Sequence, residues 1–253
     1  MKRSTIDINC DMGEDPMGQD HNNDAALMPF VSSCNISCGA HSGSPTLIKN
    51  TVELAIRAGR SIGAHPSYPD REHFGRQVME ISTSGLLDSL AQQISWLVDV
   101  VNEHGGKLTY VKAHGALYHQ LEARPALADI YCKLICDMDP SLAVMGMPAG
   151  VLAAASHSHG VRYIREAFLD RRYADGQSLV SRAEEGAVIS SSEDMVEQLQ
   201  SLLSGQVAAS DGNHYPLEAD SFCIHGDHLH SVELAAAVAE YLKAHHIKLS
   251  SHA

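Results

Sequence analysis

Short runs of strand type alternate with longer helical patterns along the chain, and that alternation limits the fold to a few architectures. The strand-type runs are Thr5–Asn9, Val31–Ile36, Ser61–His65, Thr109–Lys112, Leu142–Met145, Val161–Ala167 and Ser221–His225, with Val188–Ile189 a further short piece. The clearest helix spans Gly85–Glu103. There Leu86, Leu90, Ile94, Leu97, Val98 and Val101 recur at three- and four-residue steps as one apolar stripe. Ser82 and Ser84 offer N-cap oxygens before it, and Gly105 and Gly106 end it. Thr51–Ala58 stops at Gly59, and Pro125–Cys136 opens on a proline that a first helical turn tolerates. Ser231–Ala244 puts Leu234, Val238, Tyr241 and Leu242 on one face. Asp211-Gly212, between Val207–Ala209 and Tyr215–Leu217, reads as a hairpin turn. About seven β–α steps in 253 residues predict a parallel sheet, either closed into a β/α barrel or open and doubly wound. No linker or low-complexity segment divides the chain, so one domain over residues 1–253 is expected.

In both architectures function collects where the carboxyl ends of the strands meet the following loops. Past the first run stand Asp7, Asn9, Asp11 and Glu14, in DINCDMGE. Asp7, Asn9 and Asp11 alternate, so in a strand they share one face, which is costly in a buried strand unless they bind a ligand or one another. Alternatively the group is a cap and turn cluster leading into Gly13. Past the second run come Asn35, Cys38 and His41, among small residues that permit close backbone approach to a ligand. The third run ends in His65-Pro66. Asp11, His41 and His65 therefore make a candidate divalent-metal set with an open position. Singly, each of these histidines reads as a buried, hydrogen-bonded core residue; together, at matching strand ends, they favour a site.

Lys112, His114 and Tyr118 follow the fourth run, and a buried lysine there requires an anionic partner or a function. Glu166, Asp170, Arg171, Arg172 and Tyr173 follow the sixth. Adjacent arginines suit a carboxylate or phosphate through the planar guanidinium fork, unless they form only a solvated charge cluster. The last run ends in His225-Gly226-Asp227, where His225 is a candidate general base and Asp227 its orienting carboxylate. Asp7, Asp11, His41, His65, Lys112, His114, Arg172 and His225 are expected to line one concave face. His157, His159, His245, His246 and His252 fall on helix ends or tails and read as surface residues. His21, His104, His119, His228 and His230 do not repeat the strand-end context.

Charge and motifs exclude several functions. Lys plus Arg number 18 against 31 Asp plus Glu, a formal net charge of −13. Such a surface repels nucleic acid and anionic lipid, which need clustered cations. No apolar run approaches the ~18 residues that span a bilayer, and MKRSTIDINC has no apolar segment of signal-peptide type, so a cytoplasmic location is expected. The six cysteines form no C-x-x-C pair and read as free, mostly buried thiols. Neither a G-x-G-x-x-G nor a G-x-x-x-x-G-K-[ST] occurs, so the chain carries no standard dinucleotide or P-loop site.

The ordered blocks DINCDMGE, NISCGAH, GAHPSYPD with FGR at Phe74–Arg76, VKAHGALY, FLDRRY and CIHGD resemble the LamB/YcsF family, that of the 5-oxoprolinase A subunits, from about Ile6 to Leu242. The resemblance implies a seven-stranded β/α barrel related to glycoside hydrolase/deacetylase barrels. It implies ATP-dependent opening of 5-oxoproline to glutamate, in a complex with two other subunits, B and C. With no phosphate loop in this chain, ATP is expected mainly on those partners. Asp11, His65, Lys112, His114 and His225 are then the expected catalytic residues. Asp7, Asn9, Asn35, His41, Arg171, Arg172 and Asp227 are the expected substrate-binding residues, and Asp11, His41 and His65 the candidate metal ligands. Three positions depart from the family pattern: Ala113 replaces a proline, His119 an asparagine and Ser44 an aspartate. A stand-alone metal-dependent deacetylase or amidohydrolase is the alternative activity, and a non-catalytic subunit that delivers 5-oxoproline a third reading.

Overall fold

The computed structural model describes residues 3–15, 23–227 and 230–252; His21 and His228 lie outside the described residues. Strands β1 (Thr5–Met12), β2 (Ser33–Ser37), β3 (Ser61–His65), β4 (Leu108–Lys112), β5 (Ala143–Gly146) and β6 (Arg162–Phe168) pair in parallel in that order. A short antiparallel hairpin, β7 (Gln206–Ala208) and β8 (His214–Pro216), interrupts the series before β9 (Ser221–His225). β9 pairs with β6 on one side and with β1 on the other, closing a seven-stranded parallel barrel. β10 (Lys248–Leu249) adds outside the closed ring, beside Thr5 and Ile6. The open doubly wound alternative is thereby excluded.

Helices surround the barrel: α1 (Asp24–Leu27) with a 3-10 turn at Met28–Phe30, α2 (Pro45–Arg57), α3 (Thr83–Glu103), α4 (Gly115–Ala123), α5 (Pro125–Met138), α6 (Val151–Ser158), α7 (Ser192–Leu203) and α8 (Ser231–Ala244). Ser82 caps α3 through the Gly85 N–H, as its position before the apolar stripe predicts. α2 begins earlier than its apolar pattern, because Ser44 accepts a hydrogen bond from the Leu47 N–H and Pro45 occupies the first turn. Ser44 is therefore a helix cap. Val188 forms an isolated bridge with Arg171 and belongs to no named strand. None of the described helices is long and apolar enough to cross a membrane.

Alternation along the strands separates two environments. Ile6, Ile8, Cys10 and Met12 of β1 are buried on the helix side, with Cys34, Ile36, Ile62, Val111, Val144, Ala167, Phe222 and Ile224 of neighbouring strands in the same cluster. The opposite face of β1 carries Asp7, Asn9 and Asp11, which register beside Ser221, Cys223 and His225 of β9. The barrel interior is thus strongly polar on one side. On the other, Tyr110, Ala143, Met145 and Ile164 form a small separate apolar cluster. Gly63 makes room for the Tyr110 ring: a Cβ there would lie 2.2 Å from it.

Candidate active site at the barrel mouth

The inward polar residues satisfy one another in layers. At the bottom, Ser32 and Ser33 donate to Asp7 at 2.6 and 2.7 Å. Above them Asn9 donates to Ser221, and Asn35 donates to both Asn9 and Asp11 at 2.7 Å. Tyr110 donates to Asn35 across the barrel. Asp7, Asn9 and Asn35 are fully buried and do not line the cavity above. They form the floor on which Asp11 rests, because polar groups so deep must pair with one another.

Lys112 rises from β4 into this interior and is 2% exposed. Its Nζ lies 2.9 Å from Asp11 and 2.8 Å from Glu166. Burial alone acts to lower its pKa, but Asp11 and the neighbouring acidic groups outweigh it, so the ammonium is held well above the ordinary lysine value. Asp11 is likewise opposed by burial, yet His65 and Lys112 hold its carboxyl well below the usual carboxylate range. The anionic partners that a buried lysine requires are Asp11 and Glu166.

Hydrogen-bond partners fix the ring protons of the histidines. His65 Nδ1 lies 2.8 Å from the Lys112 carbonyl, which can only accept, so Nδ1 carries hydrogen. His114 Nε2 lies 2.9 Å from the Phe74 carbonyl and carries hydrogen for the same reason. The two remaining nitrogens, His65 Nε2 and His114 Nδ1, face each other at 2.9 Å. Burial pulls the His114 pKa well below that of an ordinary histidine, so its Nδ1 presents a lone pair. A hydrogen or a metal cation must fill the space between those nitrogens. Asp11 Oδ2 is 3.3 Å from His65 Nε2, and Glu14 Oε1 is 3.4 Å from His114 Nδ1. One donor atom from each of Asp11, Glu14, His65 and His114 falls within 4.8 Å of the others. Two neutral imidazoles with two carboxylates suit a borderline divalent ion such as zinc.

His41 stands behind this group and not in it. Its ring stacks on His114 at 3.9 Å, and it lies 2.9 Å from Ser67 Oγ and 3.0 Å from Glu14 Oε1. Ser67 donates its own hydrogen to the Tyr68 carbonyl, so His41 Nδ1 donates to Ser67 and Nε2 accepts. Burial lowers the His41 pKa and raises that of Glu14, and one hydrogen bridges the 3.0 Å contact between them. Of the expected metal set of Asp11, His41 and His65, Asp11 and His65 group with Glu14 and His114, and His41 stands outside that group.

Across the mouth, His225 donates from both its backbone N–H and Nδ1 to Asp170, at 2.8 and 2.9 Å. Its Nε2 lies 3.9 Å from Asp11 Oδ2, and Phe168 stacks against the ring. The orienting carboxylate is thus Asp170. Asp227, expected in that role, pairs instead with Arg76 and Arg182. Above these groups opens a cavity of about 450 Å³, lined among others by Asp11, Glu14, His65, Lys112, His114 and His225.

The expected single concave face is therefore realised by Asp11, His65, Lys112, His114 and His225, joined by Arg171 and Asp227. Asp7 lies beneath it and His41 behind it. Arg172 turns away to pair with Asp194 at 2.6 Å. Ala113 and His119 line the wall, so His119 reaches the cavity from α4 although it follows no strand directly. Glu14 and Arg182 are the additions. Glu14 was legible as the last residue of DMGE, three beyond Asp11, whereas Arg182 sits in a long connection with no sequence signal.

Fold and site together define a parallel β/α barrel with a histidine- and carboxylate-lined mouth of the kind that hydrolases use. The LamB/YcsF family model matches residues 6–253, and the chain belongs to that family. It is 36% identical to the 5-oxoprolinase A subunit of Brevibacillus brevis over 248 residues, covering 98% of each chain. It is 38% identical to the 5-oxoprolinase A subunit of Bacillus thuringiensis over 237 residues, covering 93% of this chain and 94% of that one. The crystal structure of a lactam utilization protein from Thermus thermophilus superposes with a TM-score of 0.89 at 33% identity, covering 97% of this chain and 98% of that one. A putative cellobiose-phosphate cleavage protein from Enterococcus faecalis shares the fold at a TM-score of 0.61 and 12% identity, over 98% and 97% of the two chains.

Proposed function

We propose that this chain is the A subunit of a cytoplasmic, ATP-dependent 5-oxoprolinase and that the barrel mouth is where the lactam is opened to glutamate. The observation that carries the proposal is the convergence of Asp11, Glu14, His65, His114 and His225 on one cavity, in a chain whose relatives are 5-oxoprolinase A subunits. A lactam is a stable amide, so its carbonyl oxygen must be activated before water can displace the ring nitrogen. Phosphorylation of that oxygen by ATP would do this and release ADP; one water then expels the ring nitrogen to leave an acyl phosphate, which a second water hydrolyses to glutamate and inorganic phosphate. With no standard P-loop in this sequence, the activation falls mainly to the B and C partners.

The residues divide the remaining work. Asp170 holds the His225 ring with Nε2 toward the cavity, so His225 removes a proton from the attacking water. Glu14, whose carboxyl pKa is raised by burial, returns a proton to the departing ring nitrogen. Lys112 stabilises Asp11 as an anion and keeps it aimed upward. Asp11, His65 and His114 would hold a divalent cation, which when bound would supply Lewis-acid polarisation of the carbonyl or water. Elemental analysis of protein purified without chelator checks the ion: about one equivalent is expected, and its loss in a His114→Ala variant.

Reconstitution tests the function. The chain with its B and C partners, ATP and magnesium should release glutamate and ADP together, and the chain alone should release neither at a comparable rate. Coupled turnover by the isolated chain would refute the division of labour. The same donor set also favours a second reading, a metal-dependent amidohydrolase acting alone, and glutamate formation without ATP would establish that instead.

A further inference from the structure

The outer wall of the cavity holds a buried cation that the chemistry above does not use. Arg171 is 4% exposed and lines the cavity. One guanidinium nitrogen donates to the Val180 carbonyl at 2.7 Å, while Nε has no hydrogen-bond partner among the described residues. Lys112 is balanced by Asp11 and Glu166 and Arg76 by Asp227, while Arg182 reaches that same Asp227 carboxylate only at 3.7 Å. Burial, then the nearby Arg182, push the Arg171 pKa down to about 10. Asp170 acts the other way without outweighing them.

A buried, poorly compensated guanidinium is destabilising unless an anion arrives to pair with it. This one is also rigidly placed. The Arg171 carbonyl accepts from Gln198 at 2.8 Å, its backbone bridges to Val188, and Val180 is tied back to Arg172 at 2.9 Å. Arg182 lines the same wall. Such preorganisation suits a ligand group whose position matters to the reaction.

We propose that Arg171 and Arg182 form an oxyanion subsite that grips the carboxylate of the lactam substrate. The proposal rests on the lactam reading of the site and adds the determinant of substrate choice. The reacting carbonyl has to reach Asp11, His65, His114 and His225 at the cavity floor. The one other charged group on 5-oxoproline is its carboxylate, which must then be placed on another wall. A transferred phosphate would sit on the carbonyl oxygen, at the floor, and not at Arg171. The guanidinium fork matches the two oxygens of a carboxylate.

Calorimetric titrations test this, with 5-oxoproline, with 2-pyrrolidone (the same ring without the carboxylate) and with inorganic phosphate. Arg171→Gln and Arg182→Gln should each weaken 5-oxoproline binding, the first by roughly 10- to 100-fold, the range of a lost charge-assisted hydrogen bond. Binding of 2-pyrrolidone should be weak and the same in wild type and both variants. Arg172→Gln, which removes a cation pointing out of the cavity, should leave 5-oxoproline affinity unchanged. Unaltered 5-oxoproline affinity in both Arg171→Gln and Arg182→Gln, with circular dichroism matching wild type, would overturn the subsite. Because Arg182 is exposed, its variant folds even if the Arg171 variant does not. Arg171-dependent binding of phosphate with no such dependence for 5-oxoproline would also overturn it. A wild-type chain that binds neither lactam but binds glutarate through Arg171 would uphold the subsite and reject the lactam reading.

Discussion

At the scale of single residues, the site depends on which way each side chain turns. His225 is held by two hydrogen bonds to Asp170 and presents Nε2 to the cavity, which is the geometry of a base. His225→Gln should lower kcat by ~10²–10⁴-fold in the reconstituted complex, the usual contribution of a general acid or base. A variant with normal turnover would exclude the role. Much of this was legible: alternation alone put Asp7, Asn9 and Asp11 on one face, and the strand ends supplied His65, Lys112, His114 and His225. The rest was not, for a physical reason. Arg171 and Arg172 are neighbours, and an extended backbone sends neighbours to opposite sides. Sequence cannot say which one faces inward; the structure points Arg171 at the cavity and Arg172 at Asp194. His41 posed the same problem, since it rides on a connection and not on a strand.

At the scale of elements, the strands fell within a few residues of their apolar runs, because a buried strand has little freedom in register. α4, α6 and α7 had weaker signals. In α7 the buried Met195, Leu199 and Leu202 are diluted by exposed acidic and amide residues. The least regular connection, from β6 through α7, β7 and β8 to β9, is fastened by Arg165 and Asp220. Arg165 donates to Asp220 from its backbone N–H, from Nε and from a terminal nitrogen, at 2.7–3.0 Å. Burial acts to raise the Asp220 pKa, but the Arg165 bonds outweigh it and hold the carboxyl below its ordinary value. A depressed folded-state value means stabilisation present above the unfolded value of ~3.9 and lost as pH falls through the folded value. Asp220→Asn should therefore lower stability by about 1 kcal/mol near neutrality, in line with a partly exposed pair. The difference from wild type should shrink below pH ~4. Urea unfolding at pH 7 and pH 3 measures both, and a difference that persists at the lower pH would refute the assignment.

For the whole molecule, closure of the barrel is what assembles the site. Asp11 comes from β1, His65 from β3, Lys112 from β4, Glu166 from β6 and His225 from β9, so no contiguous segment holds the chemistry. A seven-strand ring whose interior is polar on the β1, β2 and β9 side concentrates charge at one end, and the partly apolar side around Tyr110 and Ile164 supplies packing. The sequence predicted a parallel sheet, closed or open, through the number of β–α steps, and the barrel was implied only by the family resemblance. It did not reveal the closure itself, which depends on β1 pairing with β9.

That pairing has a consequence for synthesis on the ribosome. Asn9 and Ser221, which bond across the seam, are 212 residues apart, and translation at ~5–20 residues per second leaves roughly 10–40 s between them. Throughout that interval the nascent β1 has an unpaired edge, the feature most prone to recruiting another chain. The side of β1 that later faces inward is Asp7, Asn9 and Asp11, which water solvates well. The polar lining that serves the active site therefore also lessens the apolar surface that the unfinished barrel exposes at this edge, and making it apolar should lower the yield of soluble protein.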